Sequence, residues 1–226
     1  MNYQEIVEWD VSTWSRALNY WDDLTKDVKK GGLGLEIGAR NGGLTLFFAR
    51  KLEANIYCTD FRGPTEKALK LHRDRGIDKS LEYFDVDATK MPFDNDQFDF
   101  VYFKSVLGAI GGNNGFHKQQ NAVNEIFRVL KPGGMLYFAE NLKATQLHQL
   151  GRKLFIPWAA EWRYLSLEEI KILLGNFSRV EIKTTGFFSA FVPKPEYLKT
   201  SIAKMDQYLA FIPDNWKYVA YGHAVK

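Results

Sequence analysis

The stretch Leu35-Glu-Ile-Gly-Ala-Arg-Asn-Gly-Gly43 decides the fold class of this 226-residue chain. It begins in a short apolar run, residues 33–37, and passes through a glycine-rich turn into a segment of helical spacing. Glycine suits such a turn because the chain must reverse tightly and bring backbone N–H groups against a ligand. A strand, a glycine-rich turn and a helix in this order predict an α/β fold with a binding site at the turn.

Short apolar runs and longer segments of helical period alternate along the rest of the chain, which is the pattern of a parallel sheet flanked by helices. The predicted strands are residues 33–37, 55–59, 81–84, 98–103, 135–139, 180–184 and 216–223. The predicted helices are residues 44–52, 65–75 and 119–130, followed by one that begins at the capping box of Ser166 and Glu169 and runs to about residue 174. Residues 131–134, Lys-Pro-Gly-Gly, are expected to end the third of these helices.

Composition excludes several classes of protein. Lysine and arginine number 30 against 27 aspartates and glutamates, and their interspersed order gives no electrostatic footprint for nucleic acid. Cys58 is the single cysteine, which excludes an internal disulfide and fits a reducing compartment. The first residues lack the pattern of a signal peptide, and no apolar run approaches the ~20 residues of a membrane-spanning helix. We therefore expect a cytoplasmic protein without integral membrane contact.

Asp60, Arg40 and Glu36 indicate which class of ligand the turn binds. Asp60 ends the second predicted strand, where a carboxylate can accept hydrogen bonds from both hydroxyls of a ribose. Arg40 stands where the dinucleotide fingerprint needs a glycine close to the pyrophosphate. Glu36 would place a negative charge near the turn, which disfavours a pyrophosphate and suits a ligand that carries an ammonium group. The residues favour a nucleoside with a cationic group over a dinucleotide.

The order of these motifs resembles the class I S-adenosylmethionine-dependent methyltransferases, over residues 34–139. The resemblance rests on Glu36, Gly38 and Gly42 in the turn, on Asp60, on Asp87-Ala-Thr-Lys-Met-Pro-Phe93, on Phe98-Asp-Phe-Val101 and on Glu125-Ile-Phe-Arg-Val-Leu-Lys-Pro-Gly-Gly134. It implies a Rossmann-like, doubly wound, mostly parallel sheet of seven strands with flanking helices, and S-adenosyl-L-methionine as the cofactor.

The resemblance also implies roles for single residues. Gly38 and Gly42 shape the turn, Glu36 supports the methionine end of the cofactor, and Asp60 holds the ribose. Asp87 accepts from the adenine amino group, the backbone N–H of Ala88 donates to the ring, and Lys104 lies at the rim where cofactor and acceptor meet. Arg40 departs from the family, which usually has glycine there, so either the local turn geometry differs or the Arg40 guanidinium contacts the cofactor carboxylate.

The chain is expected to form a single methyltransferase domain over residues 1–226. Within it, residues 31–142 form the cofactor-binding core, and residues 143–226 supply an acceptor-side segment and the last strands. Residues 1–30 form a helical lid or cap, in which Trp14, Leu18 and Trp21 share one apolar face that packs as structure or covers a pocket.

The acceptor is the least determined part of the function. His117, Glu140 and His148 are candidate general bases for an alcohol acceptor, each with a structural role as the alternative. Aromatic residues beside arginines after the fifth strand suit a sugar face or an anionic group, and the candidates are Trp158, Trp162, Arg163 and Tyr164. A plain core-and-surface helix and a peripheral membrane contact are the alternatives for this segment.

The favoured hypothesis is O-methylation of a small molecule or a saccharide unit. The Asn/Asp-Pro-Pro-aromatic sequence of family members that methylate adenine, cytosine or glutamine is absent after the fourth strand, and no acidic cluster suggests a magnesium site. The rival hypotheses are a non-catalytic protein that binds S-adenosylmethionine or a nucleoside, and a nicotinamide-dependent oxidoreductase, which Arg40 and Glu36 disfavour. The sequence does not predict the oligomeric state.

Overall fold

A seven-stranded sheet forms the centre of the computed structural model, which describes residues 2–112, 115–156, 161–192, 196–206, 208 and 211–226, apart from the side chains of residues 155, 196 and 197. The strands are β1 (Leu33–Ile37), β2 (Asn55–Asp60), β3 (Leu81–Asp85), β4 (Phe98–Lys104), β5 (Leu130–Asn141), β6 (Ser178–Thr185) and β7 (Val219–Val225). Their order in the sheet is β3-β2-β1-β4-β5-β7-β6. The first five strands pair in parallel, and β7 runs antiparallel to both β5 and β6. The predicted fold class is confirmed.

The helices lie between the strands along the chain. They are α1 (Tyr3–Val7), α2 (Val11–Leu24), α3 (Gly43–Leu52), α4 (Glu66–Asp74), α5 (Leu107–Ile110), α6 (Phe116–Val129), α7 (Gln146–Phe155), α8 (Leu167–Leu173) and α9 (Glu196–Asp206). Short 3-10 turns occur at Thr25–Asp27, Asp78–Ser80, Phe188–Phe191 and Asp214–Trp216. The capping box at the start of α8 forms as predicted, with Ser166 and Glu169 each accepting from the other's backbone N–H.

Both faces of the sheet are buried, as alternate residues of β4 illustrate. Val101 and Phe103 point into one apolar cluster, which includes residues of α6 and α8. Phe100 and Tyr102 point into the other, which includes residues of α2 and α3. Successive side chains of a strand point to opposite faces, so a strand buried on both sides reads as a continuous apolar run. This explains why the strands were visible in the sequence.

The N-terminal helices pack on the second face of the sheet. Trp14, Leu18 and Trp21 are all buried, and the indole nitrogen of Trp21 donates to the carbonyl oxygen of Gly222 at 3.0 Å. The shared apolar face of α2 is therefore part of the core. The connection between α1 and α2 places Glu8 and Asp10 at φ 66° and 48°, in the left-handed region that non-glycine residues rarely adopt.

The Lys131–Gly134 break is the largest departure from the predicted elements. The third predicted helix begins earlier than expected, at Phe116, and ends at Val129, and the break then lies within β5. Phe98 pairs with Leu130 and Phe100 pairs with Met135, so the intervening residues bulge out of the β4–β5 ladder. The last strand begins at Val219, not at Trp216, which belongs to a 3-10 turn.

Candidate functional site

A cavity of about 1070 Å³ opens where β1, β2 and β4 end. In an open α/β sheet, ligands bind in the crevice beyond the carboxyl ends of the parallel strands. The cavity is lined by the turn after β1, by the residues after β2 and β3, by the end of β4, and by parts of α1, α5 and α6. The predicted cofactor residues that line it are Glu36, Gly38, Arg40, Asp60, Asp87, Ala88 and Lys104.

Three residues of the glycine-rich turn have a left-handed backbone conformation. Gly38, Arg40 and Gly42 adopt φ values of 72°, 45° and 76°. A Cβ atom on Gly38 would lie 2.5 Å from the side chain of Val106, so the turn packs directly against the segment after β4. Arg40 thus has the left-handed conformation that glycine favours, and it keeps the turn geometry in spite of its side chain.

Asp60 connects this turn to β2. Its Oδ2 atom accepts from the backbone N–H of Arg40 at 2.7 Å, and burial raises the pKa of the carboxyl group above its ordinary value. The next residue, Phe61, lines the same cavity although 65% of its surface is exposed. Asp60 and Phe61 thus bring a carboxylate and an exposed aromatic ring to the same cavity, which suits a ribose and a base.

Asp87 and Ala88 lie farther along the same edge of the sheet. The Oδ1 atom of Asp87 accepts from the backbone N–H and the hydroxyl of Thr89, at 2.8 and 2.7 Å. Ala88 is buried and lines the cavity. The side chain of Asp87 therefore stabilises its own turn, and Asp87 also lines the cavity.

Glu36 is a buried carboxyl group that lines the cavity. The hydroxyl of Thr45 donates a hydrogen bond to its Oε2 atom. Burial raises the pKa of Glu36 to about 8, because the charged form loses its hydration. A cation that entered the cavity would favour the ionised form of this group.

Lys104 ends β4 and brings a cation into the same cavity. Its Nζ atom is buried, and among the described residues it has no hydrogen-bond partner. The ring centroids of Trp9 and Trp14 lie 3.5 and 4.8 Å from Nζ, so two indole faces contact the ammonium group. Burial lowers the pKa of Lys104 to about 7.

The three candidate general bases occupy different environments. His117 is exposed and lines the cavity. The carboxylate of Glu140 is buried and accepts from the backbone N–H groups of Val106 and Leu107 at 2.8 and 2.7 Å, which fixes the start of α5. Glu140 does not line the cavity, and its pKa is raised to about 7 by burial.

His148 also lies away from the cavity. Its Nδ1 atom is hydrogen-bonded to the hydroxyl of Thr145 at 2.8 Å and its Nε2 atom to the carbonyl oxygen of Phe187 at 3.1 Å. One ring nitrogen is therefore bonded to the N-cap residue of α7 and the other to the segment after β6. Of the three predicted bases, the structure places only His117 at the cavity.

The predicted acceptor residues separate in a similar way. Trp162 lines the cavity, whereas Arg163 and Tyr164 do not. The guanidinium of Arg163 donates to Oε1 of Gln119 at 2.7 Å and to Glu169, and that of Arg152 lies 4.1 Å from the ring of Tyr164. Trp158 lies outside the described residues.

Trp9, Phe61 and Glu8 line the cavity and were not predicted as site residues. Phe61 directly follows Asp60, and this adjacency was the one signal that could have indicated it. Trp9 and Glu8 lie far from the glycine-rich turn in sequence, in the break between two helices, where no local pattern indicates which way a side chain points. Among the described residues, no group of three or more His, Cys, Asp or Glu side chains could hold a metal ion.

Residues 35–138 match the family described as "Methyltransferase domain". The ubiquinone/menaquinone biosynthesis C-methyltransferase UbiE of Pseudomonas fluorescens (strain SBW25) is 34% identical over 124 residues, which is 52% of this chain and 45% of that protein. UbiE of Idiomarina loihiensis is 33% identical over 134 residues, which is 55% of this chain and 51% of that protein. The chain thus spans about half the length of the curated relatives it matches.

Solved structures share the fold over nearly the whole chain. The phosphoethanolamine N-methyltransferase 2 of Haemonchus contortus, in complex with S-adenosyl-L-methionine, has a TM-score of 0.67 at 17% identity, and the match covers 99% of this chain and 56% of that one. The [4+2]-cyclase SpnF has a TM-score of 0.64 at 21% identity, with 95% and 82% coverage. No described helix has the length and apolar character needed to span a membrane.

Proposed function

Because residues 35–138 form a domain of the class I S-adenosylmethionine-dependent methyltransferase family, we propose that this protein transfers the methyl group of S-adenosylmethionine to a small organic molecule. The observation that carries the proposal is the convergence of Glu36, the turn at Gly38 and Asp60 on one cavity. These groups come from the ends of β1 and β2 and suit the ammonium group, the backbone approach and the ribose of one nucleoside ligand.

The residues present fit this cofactor. A side chain at Gly38 would collide with Val106, so glycine leaves room for close approach of a ligand to the turn. Glu36 is a buried carboxyl group without a cationic hydrogen-bond partner among the described residues, and the ammonium group of a methionine moiety would supply one. Asp60 would hold the ribose, Asp87 and Ala88 the adenine, and Arg40 the carboxylate.

The bound cofactor supplies an activated methyl group on a sulfonium, so the protein is left with positioning and the exclusion of water. Ile6 of α1, Trp9 of the connection between α1 and α2, residues of α5, and Trp162 all line the cavity. An acceptor enclosed by these groups would be held against the methyl group in a site with little free water. His117 is exposed and lines the cavity, and it is the residue proposed to take a proton from an acceptor.

The acceptor is proposed as a small molecule, and O-methylation or a saccharide acceptor stays a prediction. The curated relatives are C-methyltransferases, and the matched family covers residues 35–138, which leaves Trp162 outside it. Trp162 lines the cavity together with the polar side chains of His117 and Asn121 of α6. A planar or ring-shaped acceptor with a polar substituent suits this lining.

Binding of S-adenosylmethionine without methyl transfer is the second candidate function. A protein with the same fold is a [4+2]-cyclase, so the fold alone does not select the reaction. The cavity of about 1070 Å³ favours the enzyme, because it has room for an acceptor beside the cofactor.

Calorimetric titration with S-adenosylmethionine, S-adenosylhomocysteine and NAD tests the cofactor. We expect both sulfur nucleosides to bind and NAD not to bind, and tight binding of NAD alone would overturn the proposal. Release of S-adenosylhomocysteine is then measured with pools of phenols, quinols, hydroxy acids and sugars. Turnover in one pool identifies the acceptor class, and cofactor binding without turnover in any pool favours the non-catalytic function.

A further inference from the structure

Lys104 lies beside the part of the site that the methionine end of the cofactor would occupy. Ile37 of β1 is in register with Phe103 of β4, so the residues that follow them, Gly38 and Lys104, are neighbours at the same edge of the sheet. The contact between Gly38 and the side chain of Val106 keeps the two segments together beyond the strands. Lys104 and the glycine-rich turn therefore border the same end of the cavity.

The charge of Lys104 is not neutralised by an ion pair within the described part of the chain. The three acidic groups that act on its charge accept hydrogen bonds from other groups. Glu8, in the connection after α1, accepts from Asn41 and Lys67, and Glu36 of β1 accepts from Thr45. Glu140 of β5 accepts from backbone N–H groups, and Arg40 of the turn adds a second positive charge.

Only the indole rings of Trp9 and Trp14 contact the ammonium group directly. Cation–π contacts with these rings stabilise the charged form of Lys104 less than an ion pair with a buried carboxylate would. Burial accordingly lowers the pKa of Lys104 to about 7, so both its forms are populated near neutral pH. The balance between the two forms is then sensitive to any charge that enters the cavity.

We propose that Lys104 makes the site discriminate by charge between the cofactor and its product. With Lys104 protonated, the site disfavours the cationic sulfonium of S-adenosylmethionine and tolerates the neutral thioether of S-adenosylhomocysteine. With Lys104 neutral, this discrimination disappears. The preference for cofactor over product therefore rises with pH, and product inhibition is strongest at acidic pH. This inference rests on the proposed function, because it needs S-adenosylmethionine as the ligand.

The comparison of these two ligands, made in the wild type and in Lys104→Met, separates Lys104 from Glu36, because Glu36 also responds to the sulfonium but is present in both proteins. Both ligands carry the same amino and carboxylate groups, so the ionisation of Glu36 by an ammonium group contributes to both affinities. They differ in the methyl group and the positive charge on sulfur. The ratio of their dissociation constants therefore reports on the groups that respond to the sulfonium.

The test is calorimetric titration of the whole protein with each ligand from pH 5.5 to 8.5. Below about pH 7 Lys104 is an ammonium group and weakens S-adenosylmethionine binding, and above it the repulsion is lost. The measured quantity is the dissociation constant of S-adenosylmethionine divided by that of S-adenosylhomocysteine. Between pH 5.5 and 8.5, Lys104 should make this ratio fall about tenfold for each pH unit by which the bound sulfonium lowers the pKa of Lys104. Titrations in two buffers of different ionisation enthalpy should show more proton release for S-adenosylmethionine.

Three variants complete the design. Lys104→Met keeps the length of the side chain, and the pH dependence of its ratio should be smaller than that of the wild type, with Glu36 and the amino groups of the ligands as the remaining sources. Lys104→Arg stays charged throughout and should disfavour S-adenosylmethionine across the whole range. Lys118→Met is the matched control, because Lys118 lines the same cavity but is exposed, and it should keep the wild-type pH dependence.

The outcomes separate the two proposals. If S-adenosylmethionine binds at no pH, the proposed function is wrong. If it binds and the wild-type ratio follows that of Lys104→Met, the inference about Lys104 is overturned and the proposed function stands. Should Lys104→Met fail to fold, the wild-type and Lys104→Arg series decide alone, since identical pH profiles for these two proteins contradict the inference.

Discussion

The backbone N–H of Arg40 donates to Oδ2 of Asp60 at 2.7 Å, so the carboxylate expected to hold the ribose also holds the glycine-rich turn. Asp60→Ala should therefore lower the affinity for S-adenosylmethionine and, to a smaller extent, the free energy of unfolding. Charge-assisted hydrogen bonds are worth roughly 1.5–3 kcal/mol each, which corresponds to an affinity loss of about 10-fold or more. Calorimetry and thermal unfolding measure the two effects.

Asp60→Asn is the control that separates the effect of Asp60 on cofactor affinity from its effect on the stability of the turn. The amide oxygen can still accept from the N–H of Arg40, so we expect Asn to restore most of the stability and only part of the affinity. Unchanged affinity in Asp60→Ala would leave Asp60 with its part in the turn alone.

The positions of Glu36 and Asp60 could be predicted because both follow from strand ends, and strands show in the sequence as apolar runs. The orientation of Glu140 could not. It also lies near a strand end, but its carboxylate points to backbone N–H groups of α5 and away from the cavity. Which way such a side chain points depends on packing against a helix that is distant in sequence.

The same limit applies to the break at residues 131–134. Proline and two glycines predict an irregular backbone there, as observed, but whether it separates two elements or bulges from one strand depends on pairing with β4. Trp9 reaches the cavity only because α1 and α2 pack on the sheet, which no local pattern encodes.

Glu36 should make the stability of the ligand-free protein depend on pH. Its pKa in the folded state is about 8, against an ordinary value of 4.5, so the folded protein binds the proton more tightly than the unfolded chain does. This contribution is fully present below about pH 4.5 and is lost progressively as the pH rises toward 8.

Glu36→Gln removes this titration and keeps the shape of the side chain. Between pH 5 and 7 the wild type should lose about 2.5 kcal/mol more than the variant, a little under the limit of ~1.4 kcal/mol for each pH unit, while Lys104 titrates in both proteins. Denaturant unfolding at the two pH values measures the difference. Parallel losses in the two proteins would mean that Glu36 is already ionised at pH 5.

Gly42 should tolerate a side chain less well than a glycine with the same backbone in open space. A Cβ atom on Gly42, at φ 76°, would lie 2.4 Å from Nε2 of the buried His72, whereas one on Gly63, at φ 79°, would meet nothing within 4 Å. Gly63→Ala should cost about 1 kcal/mol of stability through the backbone alone. Gly42→Ala should cost a further ~1–3 kcal/mol, because His72 and α4 must move. Thermal unfolding compares the two, and equal losses would show that His72 gives way freely.

Arg163 is expected to matter for stability and not for cofactor binding. Its guanidinium joins Gln119 of α6 to Glu169 of α8, and 15% of its side chain is exposed. Arg163→Ala leaves both partners without this donor and should cost about 1–3 kcal/mol. The exposed pair of Lys171 and Glu168 on the same helix is the control, since Lys171→Ala should cost less than about 1 kcal/mol. A loss of S-adenosylmethionine binding in Arg163→Ala would instead connect this network to the cofactor.

Of the predicted acceptor residues that the structure describes, Trp162 is the one that lines the cavity, and we expect its substitution to affect the acceptor more than the cofactor. Its ring packs against α5, where a Cβ atom on Gly108 would lie 3.0 Å from Cε3. Trp162→Ala should lower kcat/KM for the acceptor found in the turnover screen by about 10-fold or more, through lost positioning. Calorimetric affinity for S-adenosylmethionine should stay within about 1 kcal/mol of the wild type, the level at which indirect effects are common.

Tyr164→Ala is the control, because Tyr164 stacks with Arg152 outside the cavity and should lower stability without changing kcat/KM selectively. Equal loss of acceptor turnover in both variants would assign the whole segment a structural role and withdraw Trp162 from the acceptor site.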